Sequence, residues 1–101
     1  MSIIYIAGPM TGKPDFNRTA FAVAARNLDA RGYTVLNPAI LPDGLTYEHY
    51  MDIGLAMLRG ADAIYLLEDW EHSEGAKREF DLAVRLRLDI STPESRKGGA
   101  S

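Results

Sequence analysis

Ala61-Asp62-Ala63-Ile64-Tyr65-Leu66-Leu67, followed by Glu68-Asp69-Trp70-Glu71-His72-Ser73-Glu74-Gly75-Ala76-Lys77-Arg78-Glu79, is the stretch on which the fold turns. Its first seven residues are almost wholly apolar, the pattern of a strand buried on both faces. An acidic, turn-forming segment breaks that run, and an amphipathic run follows. The chain therefore crosses here from strand to helix, with Ser73 and Gly75 at the helix start and Glu79 about one turn in. A helix N-terminus offers N–H groups without intrahelical partners and the positive end of a dipole. A carboxylate beside such an end, in a cleft, suits a nucleophile or a base.

The same strand-to-helix grammar repeats upstream. Ile3-Ile4-Tyr5-Ile6-Ala7 reads as a first buried strand, stopped at once by Gly8-Pro9-Met10-Thr11-Gly12-Lys13-Pro14. Two glycines and two prolines exclude regular structure there and let backbone approach a ligand. Asp15 or Asn17 is a candidate cap for a helix carrying Phe21, Ala24, Ala25 and Leu28, which ends at Gly32. Tyr33-Thr34-Val35-Leu36 is a second strand. After a loop from residue 37 to 45, Thr46 caps a helix over 47–59 whose apolar face is Tyr50, Ile53, Gly54, Met57 and Leu58, closed by Gly60. The last helix is expected over 74–87, burying Ala76, Phe80, Ala83 and Val84. Leu86, Leu88 and Ile90 alternate, so a short fourth strand is expected near Leu88. Residues 91–101 read as a disordered tail behind a single domain over 1–90.

Alternating strands and helices imply an α/β fold: a three-layer parallel sheet in flavodoxin-like or Rossmann-like order, with strand 1 central and the C-terminal end truncated. Strand order then reverses between strands 1 and 3, and ligands of such sheets bind at that reversal, beyond the carboxyl ends of the strands. The loops there are residues 8–14 and 68–75, the least ordinary in the chain.

Composition narrows the chemistry. The 101 residues are 47% hydrophobic and 25% charged, which suits one small globular domain. There is no cysteine, so no disulfide, thiolate metal site or cysteine nucleophile. No apolar run is long enough to span a bilayer, no signal pattern opens the chain, and a cytoplasmic protein is expected. A net charge of −3 and a pI near 5.2 give no basic field for a nucleic-acid polymer.

Among candidate site residues, Gly8 to Gly12 form a cradle for an anion or sugar, with Thr11 adding a hydroxyl; a plain βα turn is the simpler alternative. It is neither a Walker A loop nor a Gly-x-Gly-x-x-Gly fingerprint. Glu79 sits between a buried side (Ala76, Phe80, Ala83) and flanks carrying Lys77 and Arg78; most glutamates are solvated. Ser73 serves as an N-cap whatever else it does. Asp52 faces either the crevice or water. Asp69 and Trp70 end the third strand, with Trp70 either a pocket wall or a packing aromatic. His49 and His72 are too far apart to suggest a metal site, and no cofactor or metal is expected.

Ile4-Tyr5-Ile6-Ala7-Gly8-Pro9-Met10-Thr11-Gly12, Asn37-Pro38-Ala39, Ala61-Asp62-Ala63-Ile64 and Trp70-x-x-Ser73-x-Gly75-Ala76-x-x-Glu79 resemble small phage and prophage proteins of the DUF4406 type, within the nucleoside 2-deoxyribosyltransferase-like superfamily. The resemblance runs from about Ile3 to Val84. It implies that Glu79 attacks the anomeric carbon of a deoxynucleoside or its 5′-monophosphate, and that the glycosyl-enzyme is resolved by a second base or water. It implies that Tyr5 positions the nucleophile, that Ser73 and Gly75 hold the 5′ end, and that Gly8, Pro9, Met10, Thr11 and Gly12 form the cradle. Asp52 is then the acid contacting sugar or base, with Asp69 and Trp70 nearby. Two departures stand out: Pro9 replaces a frequent serine, and the fifth strand that normally follows the last helix is short or missing. An open edge and a pocket completed by a second subunit imply a homodimer or larger assembly. A non-catalytic nucleotide-sequestering protein is the alternative to an enzyme, and a protein whose loops only pack is the third.

Overall fold

The structure, a computed structural model, describes residues 2–93. Four strands, β1 (Ile3–Ala7), β2 (Thr34–Leu36), β3 (Ala63–Leu66) and β4 (Asp89–Ser91), form one sheet in the order β2-β1-β3-β4. Every pairing is parallel, with Tyr5 opposite Leu36 on one side and Ile64 on the other. The helices are α1 (Arg18–Ala30), α2 (Tyr47–Arg59) and α3 (Glu74–Arg85). This is the expected α/β architecture with strand 1 central. The short fourth strand expected near Leu88 is present: the three residues of β4 pair with β3. Ser91 therefore belongs to the sheet, Thr92 and Pro93 are half-buried beyond it, and the rest of the expected tail, 94–101, lies outside the described residues. No described helix is long and apolar enough to cross a membrane.

The two-residue period of β1 sorts the core into two layers. Ile4 and Ile6 point to one face, where Phe21, Ala24 and Leu28 of α1 pack with Tyr65 and Leu67. Tyr5 and Ala7 point to the other, with Leu58 of α2, Ala83 of α3, Ile64 and Leu66. Tyr5 is fully buried beneath α2 and α3 for this reason. Gly8 ends β1 where a Cβ would lie 2.8 Å from Leu67 Cβ, so the close approach of β1 to the end of β3 requires glycine there.

Helix ends follow the sequence signals in two cases and depart in one. Thr46 Oγ1 accepts from His49 N at 3.1 Å and His49 Nδ1 accepts from Thr46 N at 3.2 Å, a reciprocal cap that gives His49 a structural task. Ser73 Oγ accepts from Ala76 N at 3.1 Å. At α1, Asn17 stands at the cap position but its side chain donates to Pro9 O at 2.9 Å, tying the helix start to the first loop.

Two helix faces differ from the expected ones. On α2 the buried residues are Met51, Gly54 and Leu58, while Ile53 is exposed. On α3 they are Ala76, Glu79 and Ala83, while Val84 is exposed and Phe80 half-buried. Both faces are rotated by about one residue, and the rotation carries Glu79 into the core stripe.

Gly54 makes that rotation possible. A Cβ on Gly54 would lie 2.7 Å from Glu79 Oε2 and 2.8 Å from Tyr5 Oη. Gly54→Ala improves intrinsic helix propensity by about 1 kcal/mol, yet it inserts a methyl against two polar atoms. We expect a net loss of about 1–3 kcal/mol in urea denaturation. A variant as stable as wild type or more so would contradict this packing.

Candidate active site

At the carboxyl ends of β1 and β3 lies a cleft of about 570 Å³, within the usual range for small-ligand sites. Tyr5 and Glu79 lie on its floor. Gly8, Pro9, Met10 and Thr11 form one wall, and Ser73, Glu74, Gly75 and Ala76 at the start of α3 another. Phe16, Leu41, Leu45, Tyr47, Tyr50 and Met51 supply apolar and aromatic surface.

Tyr5 Oη donates a hydrogen bond to Glu79 Oε2 at 2.5 Å. Each residue is where its element's periodicity puts it: Tyr5 on the α2/α3 face of β1, Glu79 on the buried stripe of α3, three residues after Ala76 and four before Ala83. Glu79 is only 8% exposed. Burial pushes its carboxyl from an ordinary value near 4.5 up to about 7, against the opposing pull of the Tyr5 hydrogen bond and the Arg78 charge. Burial, reinforced by the adjacent carboxylate, raises the Tyr5 phenol well above its ordinary range. Tyr5 therefore remains a proton donor to Glu79 at any moderate pH. Glu79 Oε1 has no hydrogen-bond partner among the described residues, so one oxygen is held and the other is free.

The anion-binding features are modest. No described residue accepts from the backbone N–H groups of Met10 and Thr11 on one wall, or of Glu74 and Gly75 on the other. Gly12 lies beyond the cleft, in a tight turn where Lys13 N donates to Met10 O at 3.2 Å and φ of +83° favours glycine. Gly75 leaves little room for a side chain: a Cβ would lie 3.1 Å from Met51 Sδ and 3.7 Å from Tyr47 Cε1. The small residue lets the start of α3 rest against the start of α2.

The structure brings together Tyr5, Gly8, Pro9, Met10, Thr11, Ser73, Gly75 and Glu79. It leaves four sequence candidates outside the cleft. Asp52 is exposed on α2, on the side of Arg78. The α2 position that faces the Glu79 carboxylate is Gly54, two residues on, and it carries no side chain. Asp69 turns outward to Lys13 at 3.4 Å. Trp70 stacks on Phe80 with ring centroids 4.7 Å apart, as a packing aromatic. Gly12 is the fourth.

Sequence reasoning missed His72, Arg18 and the aromatic wall. Tyr47, Tyr50, Met51 and Gly54 follow i, i+3, i+4, i+7 spacing, so that face of α2 was legible. Phe16 was not. It sits in a run of three left-handed residues, Asp15, Phe16 and Asn17, with φ of 50°, 53° and 63°. Left-handed backbone costs roughly 1–2 kcal/mol per non-glycine residue. The run is held by the Asn17 bond to Pro9 O, by Arg18 Nη1 to Asp15 Oδ1 at 2.9 Å, and by the Arg18 guanidinium 5.2 Å from the Phe16 ring centre. Arg18 Nη2 also pairs with Asp43, linking this turn to the 41–45 loop.

A four-stranded parallel sheet with a buried carboxylate–phenol pair at its carboxyl-end crevice defines a flavodoxin-like α/β protein with a small-molecule cleft. Residues 2–92 match the family described as Domain of unknown function (DUF4406), and the chain belongs to that family. Its fold is similar to that of a 2-desoxiribosyltransferase from Leishmania mexicana, with a TM-score of 0.72 and 22% identity. The match covers 91% of this chain and 63% of that one, so the chain spans less than two thirds of the transferase's length. No curated protein matches the sequence.

The raised Glu79 carboxyl has a consequence for stability. Its folded value, about 7, lies above the ordinary one near 4.5. Between those values the native state holds a proton that the unfolded state has lost. Stability therefore falls as pH rises from about 4.5 through 7, by roughly 3 kcal/mol in all. Glu79→Gln removes this dependence. Thermal melts should show the variant gaining on wild type between pH 5 and pH 8, and a constant difference would contradict the buried carboxylate.

Proposed function

We propose that this protein cleaves or exchanges the N-glycosidic bond of a 2′-deoxynucleoside or its 5′-monophosphate, with Glu79 as the nucleophile. The observation that carries the reading is the Tyr5–Glu79 pair on the cleft floor: one carboxylate oxygen is fixed at 2.5 Å and the other has no partner among the described residues. A solvated structural glutamate needs no such holder, and a core position without chemistry favours an apolar side chain. The fold shared with a 2-desoxiribosyltransferase supports the same substrate class.

In this reaction Glu79 Oε1 bonds to C1′ of the sugar as the C1′–N bond breaks. The bonding pair leaves with the base, which takes up a proton. Oε2 becomes the carbonyl oxygen of the glycosyl ester and keeps the Tyr5 hydrogen bond, so the support for the carboxylate persists through the step. Water or a second base then attacks C1′, restores the carboxylate and loses a proton. Ser73 and Gly75, at the start of α3, meet the 5′ end of the sugar. The aromatic surface of Tyr47, Tyr50 and Phe16 suits the flat base.

The alternative is a protein that binds a deoxynucleoside or nucleotide without turning it over. It is favoured by one observation: Gly54 faces Glu79 where Asp52 was expected, so α2 brings no acid to the departing base. The edges at β2 and β4, with Ile90 exposed on β4, suit assembly as a homo-oligomer, which light scattering would register as a multiple of the chain mass.

Incubation with the four common 2′-deoxynucleosides and their 5′-monophosphates, followed by chromatography for free base, separates the readings. In the enzyme, Glu79→Gln lowers base release by on the order of a thousandfold or more. For wild type, kcat/KM rises with pH through about 7 as Glu79 ionises, then levels. Equal release by wild type and Glu79→Gln places the nucleophile elsewhere. Tight binding with no release by wild type selects the alternative.

A further inference from the structure

We infer that the cleft is built for uncharged 2′-deoxynucleosides and discriminates against their 5′-monophosphates, an inference that rests on the glycosyl-transfer reading above. A phosphate dianion is held by cations or by several converging N–H donors. Among the described residues lining the cleft Arg18 is the one Arg or Lys, and its charge is spent. Nη1 donates to Asp15 at 2.9 Å, Nη2 pairs with Asp43, and the guanidinium lies against Phe16. Two carboxylates on one guanidinium leave that corner with no surplus positive charge.

Among the described residues the other nearby cations are likewise engaged. Lys13 pairs with Asp69 at 3.4 Å, Lys77 with Glu74 at 3.1 Å, and Arg78 lies 3.7 Å from Glu48. At the start of α3 the N–H groups of Glu74 and Gly75 are available, and Ser73 Oγ already accepts from Ala76 N. Glu74, a lining residue in that first turn, places its carboxylate 3.1 Å from Lys77 and offsets the positive end of the helix. On the facing wall Pro9 brings no N–H, leaving those of Met10 and Thr11. On the floor waits Glu79, which must itself be ionised to react. A dianion entering this cleft therefore meets the Glu79 carboxylate, a Glu74 carboxylate already paired with Lys77 and, among the described residues, no unpaired ammonium or guanidinium. A 5′-hydroxyl needs only one donor and one acceptor, which Gly75 N–H and Ser73 Oγ provide.

The test pairs each common 2′-deoxynucleoside with its 5′-monophosphate at pH 8. It measures kcat/KM for base release and, by equilibrium dialysis, binding to wild type. We expect at least one nucleoside to bind and turn over roughly tenfold or more better than its monophosphate. Asp43→Asn, which lies outside the cleft and removes one of the two negative charges on Arg18, should narrow that ratio severalfold by improving the monophosphate. Base release with the monophosphate equal or preferred overturns this inference and leaves the glycosyl reading standing. Nucleoside-selective binding with no release from any pair overturns the glycosyl reading and leaves the selectivity standing. Absence of binding by every pair overturns both. A ratio unmoved in Asp43→Asn contradicts the assignment of the selectivity to the engaged guanidinium.

Discussion

The hydrogen bond from Tyr5 to Glu79 is the constraint around which the rest of the molecule is arranged. A carboxylate under two helices is costly in a low-dielectric interior unless it is hydrogen-bonded. Tyr5 supplies that bond from the central strand, and its own burial keeps it protonated. For the pair to form, α2 must pass over it without a side chain, which Gly54 provides, and α3 must turn a glutamate inward between two alanines. Strand alternation, helix rotation and one glycine thus converge on a pair of polar atoms.

Around that rigid floor the cleft is built from less regular parts. The left-handed turn at residues 15–17 stores backbone strain, and Arg18 holds it by bonding both the turn and the 41–45 loop. The same guanidinium sets the charge of the cleft, because the acids that fix its position also neutralise it. Shape and electrostatics are coupled here through one residue. The short sheet suffices for this arrangement, since β1 and β3 alone carry the loops that line both walls.

Much of the fold was legible from the chain. The apolar runs at residues 3–7 and 61–67 and the alternation of strand and helix signals specify a parallel sheet with β1 inside, and Thr46 and Ser73 cap where their chemistry suggests. The site was legible where backbone geometry dictates it, at Gly8, Ser73 and Gly75. It was less so where a polar residue overrides hydrophobic counting. Val84 outranks Glu79 as a core residue by hydropathy, so the buried stripe of α3 reads one position off. On α2, Ile53 misleads in the same way, and Asp52 attracts a role that the helix phase denies it. Trp70 and Asp69 share a loop with Ser73 but point away, because Asp69 adopts a left-handed conformation that turns the chain before α3 begins. Arg18 and Phe16 depend on long-range partners and on unusual backbone, neither of which local pattern encodes.

The central claim is that Glu79 itself becomes covalently attached to the sugar. It is tested most directly by rapid-quench mass spectrometry of the protein mixed with 2′-deoxynucleosides and with their 2′-fluoro analogues, in which the fluorine slows departure of the sugar. The account predicts a mass gain of one glycosyl group, mapped to the peptide that contains Glu79 and absent in Glu79→Gln. Base release without sugar on that peptide, or with sugar on another residue, would contradict it.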